Sequence, residues 1–188
     1  ASAELGLSPV QTGFILSAFA WAYAGAQILG GALLDRFGTR PIYVAAILLW
    51  SLFTLLQGFA GFITGLSAVA MLFALRLLVG LSEAPSFPGN ARIVAAWFPA
   101  HERGTASAIF NSAQYFSLVA FAPLMGWIVH SFGWRSVFYV MGTLGVLSAL
   151  AFWAFIRDPA RHPMINDAEL ALIKEGGGLV ELDSAAKA

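Results

Sequence analysis

The chain has 188 residues, 59% of them hydrophobic and 11% charged, with ten basic side chains against ten acidic ones. A soluble domain carries about 25% charged residues, so this chain cannot cover its own surface with polar groups, and its composition points to an all-α integral membrane protein. Zero net charge removes the electrostatic case for a nucleic-acid partner, and the lack of cysteine excludes disulfides and thiolate metal sites. His101, His130 and His162 are scattered over loop-like positions, so neither a metal nor another cofactor is expected.

Five apolar segments are long enough to span a bilayer, over about 13–34, 42–60, 66–96, 105–129 and 134–156. The first carries Ala22, Ala26 and Gly30 at every fourth position, a spacing that lets helices pack closely. A tight charged turn, Asp35-Arg36-Phe37-Gly38-Thr39-Arg40-Pro41, leads into the second. The third is broken by Pro85 and Pro88, and the fourth carries a hinge proline, Pro123. Trp21, Trp50, Trp127, Trp134 and Trp153 are expected to anchor at lipid or at the membrane interface. Beyond the last span, residues 159–188 are expected to form a linker, in which Asn166 and Glu169 have the spacing of a capping box for a short amphipathic helix, with a solvated tail as the alternative.

Loop charges set an orientation. Arg36, Arg40, Arg92, Arg103, Arg157 and Arg161 fall on one side and only Arg135 on the other. The positive-inside rule makes the arginine-rich side cytoplasmic, with the visible N-terminus outside and the C-terminus inside. The chain begins Ala1-Ser2-Ala3-Glu4, without an initiator Met or the basic start of a signal peptide. One further span before Ala1 would put both ends of the bundle inside, so the chain is expected to be a piece of something longer.

Two patterns carry chemistry. Gly31, Asp35, Arg36, Gly38 and Arg40 fit the form G-x-x-x-D-R-x-G-x-R. Gly31 permits close helix approach, and Gly38 permits a backbone turn that other residues resist. Asp35 lies near the end of its helix, where a carboxylate is unfavourable unless a cation or a neighbouring helix N-terminus compensates it. Such a pairing would make a conformational latch that two moving bundles break and remake; an ordinary basic cytoplasmic loop is the alternative.

The second pattern is Arg76, Glu83 and Asn90. A charge at the centre of a membrane helix costs roughly 2.5–3.5 kcal/mol, so it seldom persists without a role. Seven residues are two helical turns to within about 20°, so the three project from roughly one face. Arg76 and Glu83 are separated by about 10 Å along the axis, too far for a relaxed direct salt bridge. At an effective dielectric of about 20 they still attract by roughly 1.7 kcal/mol. A substrate anion paired with Arg76 cancels that attraction, so anion and proton favour each other's binding. On this reading Glu83 is the proton-coupling group. A structural charge network between packed helices remains the alternative. Candidate partners for a polyhydroxylated ligand are Tyr23 and Gln27, one turn apart, and Asn111 and Gln114, one turn apart on the fourth span.

The charged turn resembles the loop between the second and third helices of the major facilitator superfamily. The run Arg76-Leu-Leu-Val-Gly-Leu-Ser-Glu83-Ala-Pro-Ser-Phe-Pro-Gly-Asn90, followed by Trp97-Phe-Pro-Ala-His-Glu-Arg103, is similar to the fourth helix and following loop of its anion:cation symporter branch. That branch includes bacterial permeases for hexuronates, galactonate and glucarate. The resemblance implies an N-terminal helical bundle lacking its first helix, with the C-terminal half-bundle also outside the chain. It further implies a bacterial inner-membrane carrier that moves an organic anion with protons, with Tyr23, Arg76, Glu83 and Gln114 at site positions and Asn111 and Asn90 as further candidates. Aromatic acids, phosphate and glutamate-like anions remain open, as does sodium in place of protons. A membrane-embedded enzyme using Glu83, or a structural subunit, are the readings from other classes.

Overall fold

A computed structural model describes residues 7–63 and 65–185, with side chains up to Asp183. It is helical throughout, and the described residues contain no strand. The helices are α1 (Pro9–Phe37), α2 (Thr39–Gln57), α3 (Leu66–Glu83), α4 (Ser86–Trp97), α5 (Arg103–Phe132), α6 (Trp134–Phe155), α7 (Asp167–Glu175) and α8 (Leu182–Ala185). Short 3₁₀ turns over Gly58–Phe62 and Pro159–Arg161 extend α2 and follow α6. Among the described residues five stretches are long and apolar enough to cross a membrane: Pro9–Phe37, Thr39–Phe62, Leu66–Trp97, Arg103–Phe132 and Trp134–Phe155.

Local chemistry sets the ends. A full capping box starts α1: Ser8 Oγ accepts from the Gln11 N–H at 3.2 Å, and Gln11 Oε1 accepts from the Ser8 N–H at 2.9 Å. Hence α1 begins four residues before the apolar stretch does. Gly38 separates α1 from α2 with φ 87° and ψ 161°, a region essentially reserved for glycine. Gly133, with φ 81°, divides α5 from α6 in the same way. Pro85, which has no N–H to donate, divides α3 from α4.

Packing depends on missing side chains. A Cβ on Gly80 would lie 2.4 Å from the Phe19 carbonyl oxygen, so α3 rests directly on the backbone of α1. One on Gly30 would lie 2.9 Å from the Pro85 nitrogen, which brings α1 against the α3–α4 break. Likewise Gly142 and Gly145 of α6 press on Leu55 and Ser51 of α2. At the far end from the arginines, Arg135 donates to the Gly61 carbonyl and lies over the Phe62 ring, tying α6 to the turn after α2. Beside that end Ile15, Ala60, Ala68 and Leu72 form a small core.

In contrast, α5 is nearly bare. Only Ala106 and Ile128 of its 30 residues are buried, and Tyr115, Phe116 and Val119 are more than two-thirds exposed. Helix α7 starts where Asn166 Oδ1 accepts from the Glu169 N–H at 2.8 Å. It lies against the bundle: Ile173 is buried, the Ala100 N–H donates to the Gly176 carbonyl at 2.7 Å, and the Leu179 N–H donates to the Ala95 carbonyl at 2.9 Å.

Candidate functional site

The α3–α4 break lies near the middle of its span, and the polar groups gather around it. A cavity of about 420 Å³ is lined by Tyr23 of α1, Tyr43 and Trp50 of α2, Glu83 at the end of α3, Ser86 and Asn90 of α4, and Ser107, Asn111 and Gln114 of α5. A second cavity, of about 350 Å³, is lined by Arg76, Glu83, Trp50, Thr54 and Gln57, with Met125, Phe138 and Met141 on its far side. Glu83 and Trp50 line both, so the carboxylate stands between the guanidinium and the hydroxyl- and amide-bearing hollow. All three polar residues of the seven-residue stripe, Arg76, Glu83 and Asn90, are half-buried.

Hydrogen bonds fix part of this wall. Tyr43 donates its hydroxyl to Asn90 Oδ1 at 2.7 Å, and its ring stacks on Phe152 with centroids 4.5 Å apart. This leaves the Asn90 amide nitrogen as its donor toward the cavity. The Tyr23 ring stacks on Phe19 at 5.6 Å. Arg76 and Glu83 are not joined to each other, and neither takes part in an ion pair among the described residues.

The stripe on α2 was not visible from composition. Tyr43, Ile47, Trp50, Thr54 and Gln57 recur at steps of four, three, four and three, which puts them on one helical face lining the two cavities. Trp50 was expected to face lipid or the interface; instead it forms the wall shared by the two cavities. The periodicity was the available signal, masked because Tyr, Ile and Trp are also what a lipid-facing helix carries. Gln27, a candidate from spacing, lines neither cavity.

The charged turn forms a second cluster at the arginine-rich end. Arg92 of α4 pairs with Asp35, its Nε donates to Thr39 Oγ1 at 3.0 Å, and its Nη2 lies 3.5 Å from Asp183 Oδ1. Asp183 also accepts from the Thr39 hydroxyl at 2.7 Å and from the Arg40 N–H at 3.2 Å, so it caps the start of α2. Gly38 makes room: a Cβ there would meet the Asp183 side chain at 3.3 Å. Arg40 turns away, donating to the Trp153 carbonyl and lying over its ring at 4.0 Å. Arg36 lies over the ring of Phe37 at 5.3 Å. The cation that compensates Asp35 is thus Arg92, and Asp183, 144 residues from Thr39, was missed because no local pattern marks it.

Within the described residues the tight approach falls on Gly30. Gly31 has no described atom within 4 Å of the place a Cβ would take, whereas its neighbour Gly30 is in tight contact with Ala84 and Pro85. One residue turns a helical position by about 100°, so only one of two adjacent glycines can face the α3–α4 break. Among the described residues no group of three or more His, Cys, Asp or Glu side chains could hold a metal ion.

Comparison with known proteins decides the family. The model of the Major Facilitator Superfamily matches residues 1–182. The chain belongs to that superfamily. It is 59% identical over 180 residues, 96% of its length, to the probable galactarate/D-glucarate transporter of Bacillus subtilis, and 55% identical over the same length to that of Escherichia coli. It is 42% identical over 184 residues, 98% of its length, to a D-galactonate transporter of Escherichia coli. The chain spans about 40% of the length of these relatives. The major facilitator fold accounts for the five spans as an N-terminal helical bundle, and the chain is an integral membrane protein.

Proposed function

We propose that the whole protein is a secondary active transporter that moves a sugar-acid anion, a hexarate such as glucarate or galactarate or a related aldonate, together with protons. The observation that carries this reading is the cavity that sets Glu83 beside Tyr23, Asn90, Asn111 and Gln114, with Arg76 in the adjoining hollow. Arg76 takes a carboxylate in a bidentate, charge-assisted pair. The tyrosine hydroxyl and the amides, which together offer donors and acceptors, suit the hydroxyls of the sugar chain. Glu83 carries the proton. The names of the relatives, galactarate/D-glucarate and D-galactonate transporters, favour these substrates over aromatic or phosphate anions.

Coupling follows from the spacing. Arg76 and Glu83 stand two turns apart on an unbroken helix, about 10 Å, which at an effective dielectric of about 20 corresponds to roughly 1.7 kcal/mol of attraction. The substrate anion neutralises Arg76 and removes it, and linkage makes the effect mutual. Transport then requires the site to open alternately to the two sides, by rocking this bundle, residues 1–158, against a second one. The Asp35–Arg92 pair, with Gly31, Arg36, Gly38 and Arg40 around it, is the latch at the arginine-rich end. That end is cytoplasmic by the positive-inside rule, in a bacterial inner membrane, with residues 159–188 as the cytoplasmic linker.

The experiment is uptake of labelled glucarate, galactarate and galactonate by the full-length protein in proteoliposomes, with Arg76→Ala beside the wild type. Arg76→Ala should abolish carboxylate binding. Normal binding by that variant removes Arg76 from the site.

A further inference from the structure

We propose that the protein holds the headgroup of an anionic phospholipid, taken from the surrounding bilayer, in a pocket at the arginine-rich end of α6. This pocket is separate from the two midspan cavities. It has a volume of about 310 Å³ and lies between the α1–α2 turn, the end of α6 and the 3₁₀ turn that follows. Arg40, Arg157 and Arg161 line it, and two acids, Asp158 and Asp183, line it as well. Asp183 shares Arg92 with Asp35, at 3.5 Å from Arg92 Nη2, and is already engaged by the Thr39 hydroxyl and the Arg40 N–H. The lining thus carries three guanidinium groups against two carboxylates, one positive charge in excess.

The pocket is built before any ligand arrives. Arg40 is held over the Trp153 ring, 4.0 Å from its centre, with its Nε bonded to the Trp153 carbonyl at 3.1 Å. The 3₁₀ turn that carries Arg161 is anchored through buried Pro159 and through the Ala160 N–H, which donates to the Val180 carbonyl at 3.3 Å. Arg157 and Arg161 are exposed, so their charges are presented outward. Guanidinium forks match phosphate oxygens, and basic pockets at the ends of membrane helices bind lipid phosphates.

Two features favour a lipid over a soluble anion. Phe37, Pro41 and Trp153 give the pocket apolar walls at the level where a span ends. Below it Trp153, Leu150 and Leu147 recur every three residues along α6, each about half exposed or more. This is a continuous apolar track on which an acyl chain can lie while its phosphate meets the arginines.

The test is native mass spectrometry of the full-length protein in mild detergent with equal amounts of phosphatidylglycerol and phosphatidylcholine. The wild type should retain phosphatidylglycerol preferentially. Arg157→Gln/Arg161→Gln should weaken that retention by roughly 30-fold, the effect of removing two surface charges. Arg36→Gln/Lys174→Gln, which removes two exposed cations outside the pocket, should leave it within a few fold. Equal loss in both double variants, or no preference in the wild type, overturns the proposal. Displacement of the lipid by millimolar inorganic phosphate overturns it in favour of a soluble-anion site. A second readout does not depend on the arginine variants. Dibrominated phosphatidylglycerol should quench tryptophan fluorescence more than the dibrominated phosphatidylcholine does, and Trp153→Phe should remove the difference. Persistence of the difference without Trp153 also overturns the proposal.

Discussion

Asp183→Asn is a nearly isosteric change whose effect can be worked out atom by atom. The carboxylate is 19% exposed and serves three donors: the Thr39 hydroxyl at 2.7 Å, the Arg40 N–H at 3.2 Å and Arg92 Nη2 at 3.5 Å. An asparagine keeps one acceptor oxygen and turns the other into a donor. If the amide oxygen faces Thr39, the new NH₂ confronts the Arg40 N–H. If it faces Arg40, the NH₂ confronts Arg92 and a Thr39 oxygen that already accepts from Arg92 Nε. The first orientation loses one hydrogen bond to a charged group, about 1.5–3 kcal/mol, and the second loses two, so the first sets the minimum cost. The segment has few other ties, chiefly the Leu179 N–H to the Ala95 carbonyl and the Ala160 N–H to the Val180 carbonyl. Its undocked population should therefore rise by roughly 10- to 150-fold. Hydrogen–deuterium exchange reads this directly, because the Arg40 amide is one of the groups released. Exchange at Arg40 and across 179–185 should accelerate, while Glu181→Gln, at an exposed neighbour, should change nothing. Unaltered exchange at Arg40 in Asp183→Asn would refute the reasoning.

Three other substitutions test the packing and the wall of the site. Gly80→Val should lower the melting temperature of the detergent-solubilised protein, since even a Cβ falls 2.4 Å from the Phe19 carbonyl and overpacking costs about 1–3 kcal/mol. Gly31→Ala, where no described atom lies within 4 Å, should cost less stability than Gly30→Ala, whose Cβ would lie 2.9 Å from the Pro85 nitrogen. Tyr43→Phe removes the 2.7 Å bond to Asn90 at a cost of about 0.5–1.5 kcal/mol. It should also lower glucarate affinity in a binding titration, because Asn90 loses its fixed orientation.

Hydropathy alone made the spans legible, because each helix must satisfy its backbone internally and leave apolar side chains to the lipid. Their ends were less legible. Polar residues such as Ser8 and Arg103 extend helices beyond the apolar stretch, and glycines at positive φ, Gly38 and Gly133, stop them. The Arg76–Glu83–Asn90 stripe stood out because charge is rare within a span. The α2 face with Tyr43 and Trp50 did not, since aromatic residues serve lipid and cavity alike. Asp183 was hidden for a different reason: its partners Thr39, Arg40 and Arg92 come together only through the fold. Gly30 and Gly31 could not be told apart until the α3–α4 break was in place beside one of them.

The decisive measurement separates movement of the anion from its coupling to the proton. Full-length protein carrying Glu83→Gln is placed in proteoliposomes and given labelled glucarate, first at equal pH on both sides and then under an inward proton gradient. The account predicts exchange close to the wild-type rate in the first condition and no uphill accumulation in the second. Accumulation at the wild-type level would show that the carboxylate at the end of α3 does not carry the coupled proton.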